Sequence, residues 1–181
     1  MLVYSKIQGG LANPVRNGGL ALWAGALPPD AKEILRSPVL AAAFGFGAGL
    51  SPKAPGTVGT LLAVPLWWLS SGLGTIPYLA LAAIGFIVGV WVCGRAVSLL
   101  GQHDHPGIVI DEVVGYFTAL VVVPLDFRWL ALSFVLFRFF DIIKPWPIGW
   151  LDRRVGGGFG VMLDDLVAGL FTALVLLAVV H

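Results

Sequence analysis

The chain has 181 residues, of which 58% are hydrophobic and 12% are charged, and its formal net charge at pH 7 is +1. Its mean hydropathy of +0.92 is far above that of a water-soluble protein, so the composition predicts an integral membrane protein with one folded domain. The near-neutral charge, without a Lys- and Arg-rich run, excludes a nucleic-acid partner. The single cysteine, Cys93, excludes an internal disulfide or a thiolate metal site.

Residues 1–38 are predicted to form a loosely ordered cytoplasmic extension, which precedes a membrane-embedded domain at residues 39–181. Glycine pairs at positions 9 and 18 and a proline pair at position 28 interrupt the extension, and it lacks the continuous apolar stretch of a secretory signal. The next stretch, VLAAAFGFGAGL at residues 39–50, is too short and too rich in glycine to cross a bilayer. It predicts a short re-entrant or interfacial helix.

Five further apolar stretches predict transmembrane helices, so the expected fold is an all-α, polytopic membrane bundle. A helix needs about 20 residues to cross the hydrocarbon core, and somewhat shorter stretches are tolerated where the bilayer thins. The predicted spans are residues 57–71, 76–100, 111–125, 129–143 and 165–180.

The basic residues predict the orientation of these spans. Lys and Arg residues precede the first span, occur near the end of the second, and lie between the fourth and fifth, whereas the opposite connections contain only Arg128. Because loops rich in Lys and Arg stay in the cytoplasm, we expect the N-terminus inside and the C-terminus outside.

Acidic residues are predicted to gather at the cytoplasmic ends of three spans. Ionised groups near hydrocarbon are costly unless they are paired or bind a metal, so the cluster indicates a cation site. Helix capping is the alternative for Asp111 and Asp164, but it does not explain Asp141, which lies near a helix C-terminus. Oxygen ligands without Cys or His favour Mg²⁺. The candidate catalytic residues and metal ligands are Asp111, Glu112, Asp141, Asp164 and Asp165.

Small residues follow two of these acids at helical spacing. Gly115 and Ala119 follow Asp111 on the third span, and Gly169 and Ala173 follow Asp165 on the fifth. Such rows let helix backbones approach closely, so we expect these two spans to pack together and to bring their acidic ends within reach of one ion.

Basic side chains beside the acids are candidate phosphate-binding residues. Arg138 and Lys144 lie about one helical turn before and after Asp141, and Arg138 falls within an apolar run, where it should face an acid, a phosphate or the bundle interior. Lys53 and Thr57, at the opening of the first span, and Arg153 are further candidates. For Arg153, interaction with lipid headgroups remains an alternative.

Two loop segments carry further candidates. Glycines at positions 156, 157, 158 and 160 are expected to precede the fifth helix, where their backbone N–H groups could bind phosphate, unless the segment is only a flexible connector. His103 and His105 precede Asp111, and either could protonate a leaving alkoxide or simply be exposed.

Four linked motifs resemble the phosphatidylglycerophosphatase A family from about residue 44 to the C-terminus. They are, in this order, GFGAGLSPKAPGTVGTLLAVPLWW, HDHPGIVIDEVVG, FRFFDIIKPWPIGWLDRR and GGGFGVMLDDLVAG. The resemblance implies a Mg²⁺-dependent bacterial phosphatase at the cytoplasmic face of the cytoplasmic (inner) membrane, whose phospholipid substrate, phosphatidylglycerophosphate, becomes phosphatidylglycerol.

The resemblance also implies residue roles. It assigns metal binding and catalysis to the five acids given above, and Lys144, Asp152 and Arg153 match the family's loop motif. Two departures stand outside the acidic cluster: residues 1–38 have no counterpart, and Arg154 stands where a non-basic residue is expected.

The expected mechanism uses one or two Mg²⁺ ions to neutralise the phosphate and orient a water, and an aspartyl-phosphate intermediate is left open. A Mg²⁺-dependent lipid phosphotransferase is a rival, although the pattern D-G-x2-A-R-x8-G-x3-D-x3-D is absent. A cation transporter is a second rival, although the acids of a transporter are expected near the middle of the spans, whereas the acids here lie at one end of them.

Overall fold

The computed structural model describes residues 30–102 and 105–180, and the regular secondary structure in these ranges is entirely helical, as predicted. Most of the expected extension at residues 1–38, together with His103, lies outside the described residues. The helices are α1 (Ala31–Arg36), α2 (Pro38–Ala43), α3 (Pro55–Ser70), α4 (Thr75–Leu100), α5 (Ile110–Ala119), α6 (Phe127–Ile143), α7 (Ile148–Arg154) and α8 (Gly157–Val180).

The five predicted spans fall on α3, α4, α5, α6 and α8. Among the described residues, two helices are long and apolar enough to cross a membrane, Thr75–Leu100 and Gly157–Val179. The other three helices have 16, 10 and 17 residues, although a 3₁₀ turn at Leu120–Val122 lengthens α5. The stretch predicted to be one short helix is instead α2 followed by a kinked 3₁₀ segment at Gly45–Leu50.

Large apolar side chains cover much of the outside of the bundle. On α4, Ile76 is 83% exposed and Ile87 is 69% exposed, and similar side chains project from the other long helices, including Val135 on α6 and Leu174 on α8. Apolar exteriors of this extent are unfavourable in water and suit hydrocarbon. The surface and the two long apolar helices are compatible with membrane association.

The short helix α5 lies at the centre of the fold. Residues 113–119 are all buried, and α5 packs most extensively against α8, with α3 and α4 on its other faces. The Tyr116 hydroxyl lies 2.8 Å from Ser133 Oγ of α6, and the Tyr78 hydroxyl of α4 donates to the Phe117 carbonyl at 2.6 Å. These hydrogen bonds satisfy the buried polar groups and tie α5 to two neighbours.

The backbones of α5 and α8 touch at two glycines, which confirms the predicted close packing. A Cβ atom on Gly169 would lie 2.2 Å from the Gly115 carbonyl oxygen, and one on Gly115 would lie 2.5 Å from the Asp165 carbonyl oxygen. Any side chain at either position would force the helices apart. Glycine is therefore required at this crossing.

The N-terminal part of α8 corrects one expectation. The helix begins at Gly157 rather than at residue 165, so Gly158 and Gly160 lie inside it and are not in a loop before it. A Cβ atom on Gly158 would lie 2.1 Å from the Val90 carbonyl oxygen of α4. The loop assignment was wrong because close packing against α4 outweighs the low helix propensity of glycine. Asp152 and Arg153, which match the family's loop motif, lie on the short helix α7.

We expect Gly169→Ala to destabilise the fold because its Cβ would collide with the Gly115 carbonyl. Overpacking of this kind typically costs about 1–3 kcal/mol. The matched control is Gly85→Ala on α4, whose Cβ would make an ordinary 3.5 Å contact with Val114. Chemical unfolding in mixed micelles should show a lower free energy of unfolding for Gly169→Ala and an unchanged one for Gly85→Ala. Equal effects of the two substitutions would contradict the packing argument.

Candidate active site

The five predicted acids converge on one cleft at one end of the bundle. Asp111 and Glu112 come from the first turn of α5, Asp141 from the last turn of α6, and Asp164 and Asp165 from α8. The cleft has a volume of about 220 Å³. Its lining also includes the side chains of His105, Lys144 and Asp152.

Three of the acids form a compact group of oxygen donors, to which we refer as the α5–α8 acid group: Asp111, Glu112 and Asp165. One carboxylate oxygen from each lies within 4.8 Å of the others. The glycine contact between α5 and α8 lies about one turn from Asp111, so it explains why acids from two helices approach each other. Oxygen-only donors at this spacing suit a hard divalent cation, and the group could hold one.

Arg138 lies behind the acids rather than on the surface of the cleft. Its Nη1 is 2.5 Å from Asp141 Oδ2 and 3.7 Å from Glu112 Oε1, and it donates to Thr60 Oγ1 at 3.4 Å. Only 16% of the side chain is exposed. All three contacts are made by Nη1, so this one nitrogen lies between the Asp141 and Glu112 carboxylates and links them.

The start of α3 completes this arrangement. Thr60 is fully buried, and its hydroxyl also donates to the Gly56 carbonyl at 2.8 Å. A Cβ atom on Gly56 would lie 2.0 Å from Glu112 Oε1, so this glycine leaves room for the Glu112 carboxylate. The sequence placed both residues at the opening of α3 but gave no sign that they face Arg138 and Glu112.

Lys144 enters the cleft from the end of α6. It is the C-cap residue, with a left-handed φ of 45°, and its Nζ donates to Asp152 at 2.7 Å and to Asp164 at 2.5 Å. Burial alone would lower the pKa of Lys144, but the hydrogen bonds and charges of the two aspartates outweigh burial and raise its pKa above the ordinary value. Lys144 therefore carries a positive charge at neutral pH and faces the cleft.

Three buried polar atoms lack a hydrogen-bond partner among the described residues. They are Glu112 Oε2, Asp164 Oδ1 and Arg138 Nε. A buried carboxylate oxygen without a partner is costly, because its desolvation is not compensated. The Glu112 and Asp164 side chains also line the cleft, so their free oxygens are suited to a ligand that brings positive charge.

The other predicted binding residues lie outside the lining of the cleft. Lys53 is exposed in the loop before α3, Thr57 is partly buried in the first turn of that helix, and Arg153 is exposed on α7. Asp152, whose role the sequence left open, instead faces the cleft through its contact with Lys144.

His105 lies at the edge of the cleft. Its Nδ1 accepts a hydrogen bond from the Gly107 N–H at 3.1 Å, and its ring packs against Phe44 at a centroid distance of 5.3 Å. Burial lowers the pKa of His105, which favours the neutral ring.

The fold and the cleft together define a helical protein, compatible with membrane association, that has a candidate divalent-metal site. The chain matches the family Phosphatidylglycerophosphatase A, PgpA, over residues 41–180. It therefore belongs to the phosphatidylglycerophosphatase A family, in agreement with the sequence motifs.

Similar proteins come from several bacteria. A phosphatidylglycerophosphatase A of Escherichia coli K12 is 45% identical over 140 residues, which cover 77% of this chain and 81% of that protein. One from Haemophilus influenzae is 41% identical over 153 residues, covering 83% and 94%. A protein of Bacteroides thetaiotaomicron named putative phosphatidylinositol-3-phosphatase is 40% identical over 138 residues, covering 71% and 84%. No solved structure gives a significant match.

We expect Arg138→Met to reduce the free energy of unfolding by about 3–5 kcal/mol, because it leaves two buried carboxylates without their counter-ion. The control is Arg128→Met on the same helix, where a 91% exposed arginine lies 3.7 Å from Asp126. That exposed pair should contribute less than about 1 kcal/mol. Chemical unfolding of both variants in mixed micelles checks the difference, and similar losses would argue against a structural role for Arg138.

Proposed function

We propose that this protein is a Mg²⁺-dependent phosphatidylglycerophosphatase, a phosphoric monoester hydrolase. It would cleave the terminal phosphate of phosphatidylglycerophosphate and give phosphatidylglycerol and phosphate. The observation that carries the proposal is a single cleft in which unpartnered carboxylate oxygens and the Lys144 ammonium face the same space. The family of the chain and the names of the Escherichia coli and Haemophilus influenzae relatives point to the same substrate.

The proposed setting is the bacterial cytoplasmic membrane. Residues 39–181 would form the embedded phosphatase domain with five spans, residues 1–38 a cytoplasmic extension, and the cleft would face the cytoplasm. The apolar exterior supports embedding, and the basic residues near the cleft support the orientation. The shorter helices α3, α5 and α6 would need local thinning of the bilayer.

The acids have the metal-binding role in this proposal. Bound to the α5–α8 acid group, with Asp141 and Asp164 as further oxygen ligands, Mg²⁺ would neutralise phosphate charge and make a bound water more acidic. Arg138 keeps Asp141 and Glu112 oriented toward the cleft. The close packing of α5 and α8 keeps the donor oxygens in place before substrate arrives, which lowers the reorganisation needed during catalysis.

The basic and polar residues divide the binding of substrate between them. An ammonium group has three donors, and Lys144 uses two on Asp152 and Asp164, so the third is available to an oxygen of the terminal phosphate. Lys53, Thr57 and Arg153 lie outside the cleft, so they would contact the rest of the headgroup. The neutral His105 ring accepts from the Gly107 N–H at Nδ1, so its Nε2–H would donate a hydrogen bond to the leaving oxygen without transferring the proton.

A second candidate substrate is phosphatidylinositol 3-phosphate, because the Bacteroides relative is named for its hydrolysis. Both lipids present a phosphomonoester to the same acidic cleft. The headgroup next to that phosphate differs, so the choice between them depends on contacts outside the metal-binding acids.

We expect purified protein in detergent to release phosphate from phosphatidylglycerophosphate in the presence of Mg²⁺. Release should stop when EDTA is added and resume with excess Mg²⁺, because the acids need a bound cation to receive a phosphate. Phosphatidic acid and phosphatidylinositol 3-phosphate, assayed in parallel, test selectivity. A higher kcat/KM for phosphatidylinositol 3-phosphate would favour the second candidate, and equal release in EDTA would contradict a metal-dependent reaction.

We expect Asp111→Asn, Asp141→Asn and Asp164→Asn each to lower kcat by at least about 10²-fold, because each removes charge that holds the cation and organises the transition state. The control is Asp126→Asn, which changes an exposed acid at the other end of α6. All four variants should remain in the membrane fraction. Near-normal turnover in the first three would refute the assignment of the cleft.

A further inference from the structure

Apart from Asp141, which is paired with Arg138, the acids of the cleft fall into two groups that differ in their counter-ions. Among the described residues, no Lys or Arg nitrogen lies within 4.0 Å of the Asp111 or Asp165 carboxylates, and Glu112 has only Arg138 at 3.7 Å. In contrast, Asp152 and Asp164 share the Lys144 ammonium at 2.7 and 2.5 Å. One half of the cleft therefore has open carboxylates, and the other half already contains a cation.

The backbone holds Lys144 in this second half. Its N–H donates to the Phe140 carbonyl at 2.9 Å, and its own carbonyl accepts from the Gly149 N–H at 3.2 Å, so α6 and α7 fix it from both sides. Glycine adopts a left-handed C-cap conformation more readily than lysine does. A lysine kept in such a conformation at a functional site indicates that its side chain is needed there.

The position of this ammonium bears on the number of metal ions. Enzymes with two metals hold them about 3.5–4 Å apart, each with carboxylate ligands. Here the carboxylates available to a second ion, on Asp152 and Asp164, are hydrogen-bonded to Lys144, whose charge would also repel that ion. Asp164 Oδ1 is buried and has no partner among the described residues, so it could turn toward the first group.

We propose that Lys144 is the resident cation of the Asp152–Asp164 half of the cleft, so that the protein binds one divalent cation, in the α5–α8 acid group, rather than two. This inference rests on the metal-dependent function proposed above. Asp152 is then a positioning residue, since it contacts neither the ion nor the phosphate and instead helps to hold the Lys144 ammonium, which would contact the phosphate.

The test counts Mn²⁺ ions bound to the purified full-length protein in detergent, without substrate, from the paramagnetic resonance signal of the free ion. We expect one tightly bound Mn²⁺ per chain for the wild type. Lys144→Met and Lys144→Gln, which remove the ammonium and free two carboxylates, should each bind a second Mn²⁺. Arg154→Met is the matched control, because this arginine stacks on Trp150 outside the cleft, and it should bind one.

Two results would overturn this inference alone and leave the metal-dependent function standing. One is a count of two in the wild type, which needs no variant and so does not depend on how the variants fold. The other is a count that stays at one in both Lys144 variants while their elution and unfolding match the wild type. A wild type that binds no Mn²⁺ would overturn the metal-dependent function as well, whereas one bound ion without phosphate release would contradict only the proposed function.

Discussion

The close contact between the backbones of α5 and α8 is the constraint on which the site depends. At Gly115 and Gly169 neither helix has space for a side chain, because a carbonyl oxygen of the other helix lies where the Cβ atom would be. Asp111 lies one turn above this crossing on α5, and Asp165 lies one turn above it on α8. The same packing that stabilises the bundle therefore holds carboxylates close together even though their charges repel each other.

The energetic cost of this arrangement explains the two basic residues beside the acids. Arg138 is buried behind Asp141 and Glu112, whereas Lys144 faces the cleft between Asp152 and Asp164. Together they neutralise part of the charge and leave the α5–α8 acid group under-compensated. A site that lacks positive charge in one defined place, and has unpartnered oxygens there, is prepared for a divalent cation and its phosphate ligand.

The two basic side chains have different roles: Arg138 stabilises the structure of the site, and Lys144 faces the substrate. An arginine suits the inner position, because its planar fork can bind several acceptors and stays charged when buried. A lysine suits the mouth of the cleft, because its ammonium offers three donors from a compact centre and can serve two carboxylates and a phosphate oxygen together. On this interpretation Lys144 replaces a second metal ion, and its left-handed backbone conformation is part of the site.

The sequence by itself determined the helical class, the approximate positions of the long helices and the identity of the clustered acids. These follow from local signals: apolar runs of sufficient length, small residues at helical spacing, and charges at the ends of apolar segments. The family motifs added the expected reaction. Such patterns can be read without a structure because each depends on residues close together in the chain.

Only the tertiary structure decided which charges meet. The sequence could not show that α8 begins at Gly157, since the packing of Gly158 on Val90 involves another helix. It predicted that Arg138 faces an acid, a phosphate or the bundle interior, but it could not show that this side chain contacts Glu112 and Thr60, because both belong to other helices. The directions of long side chains, and the path of the chain through α7, depend on distant contacts, and those contacts define the site.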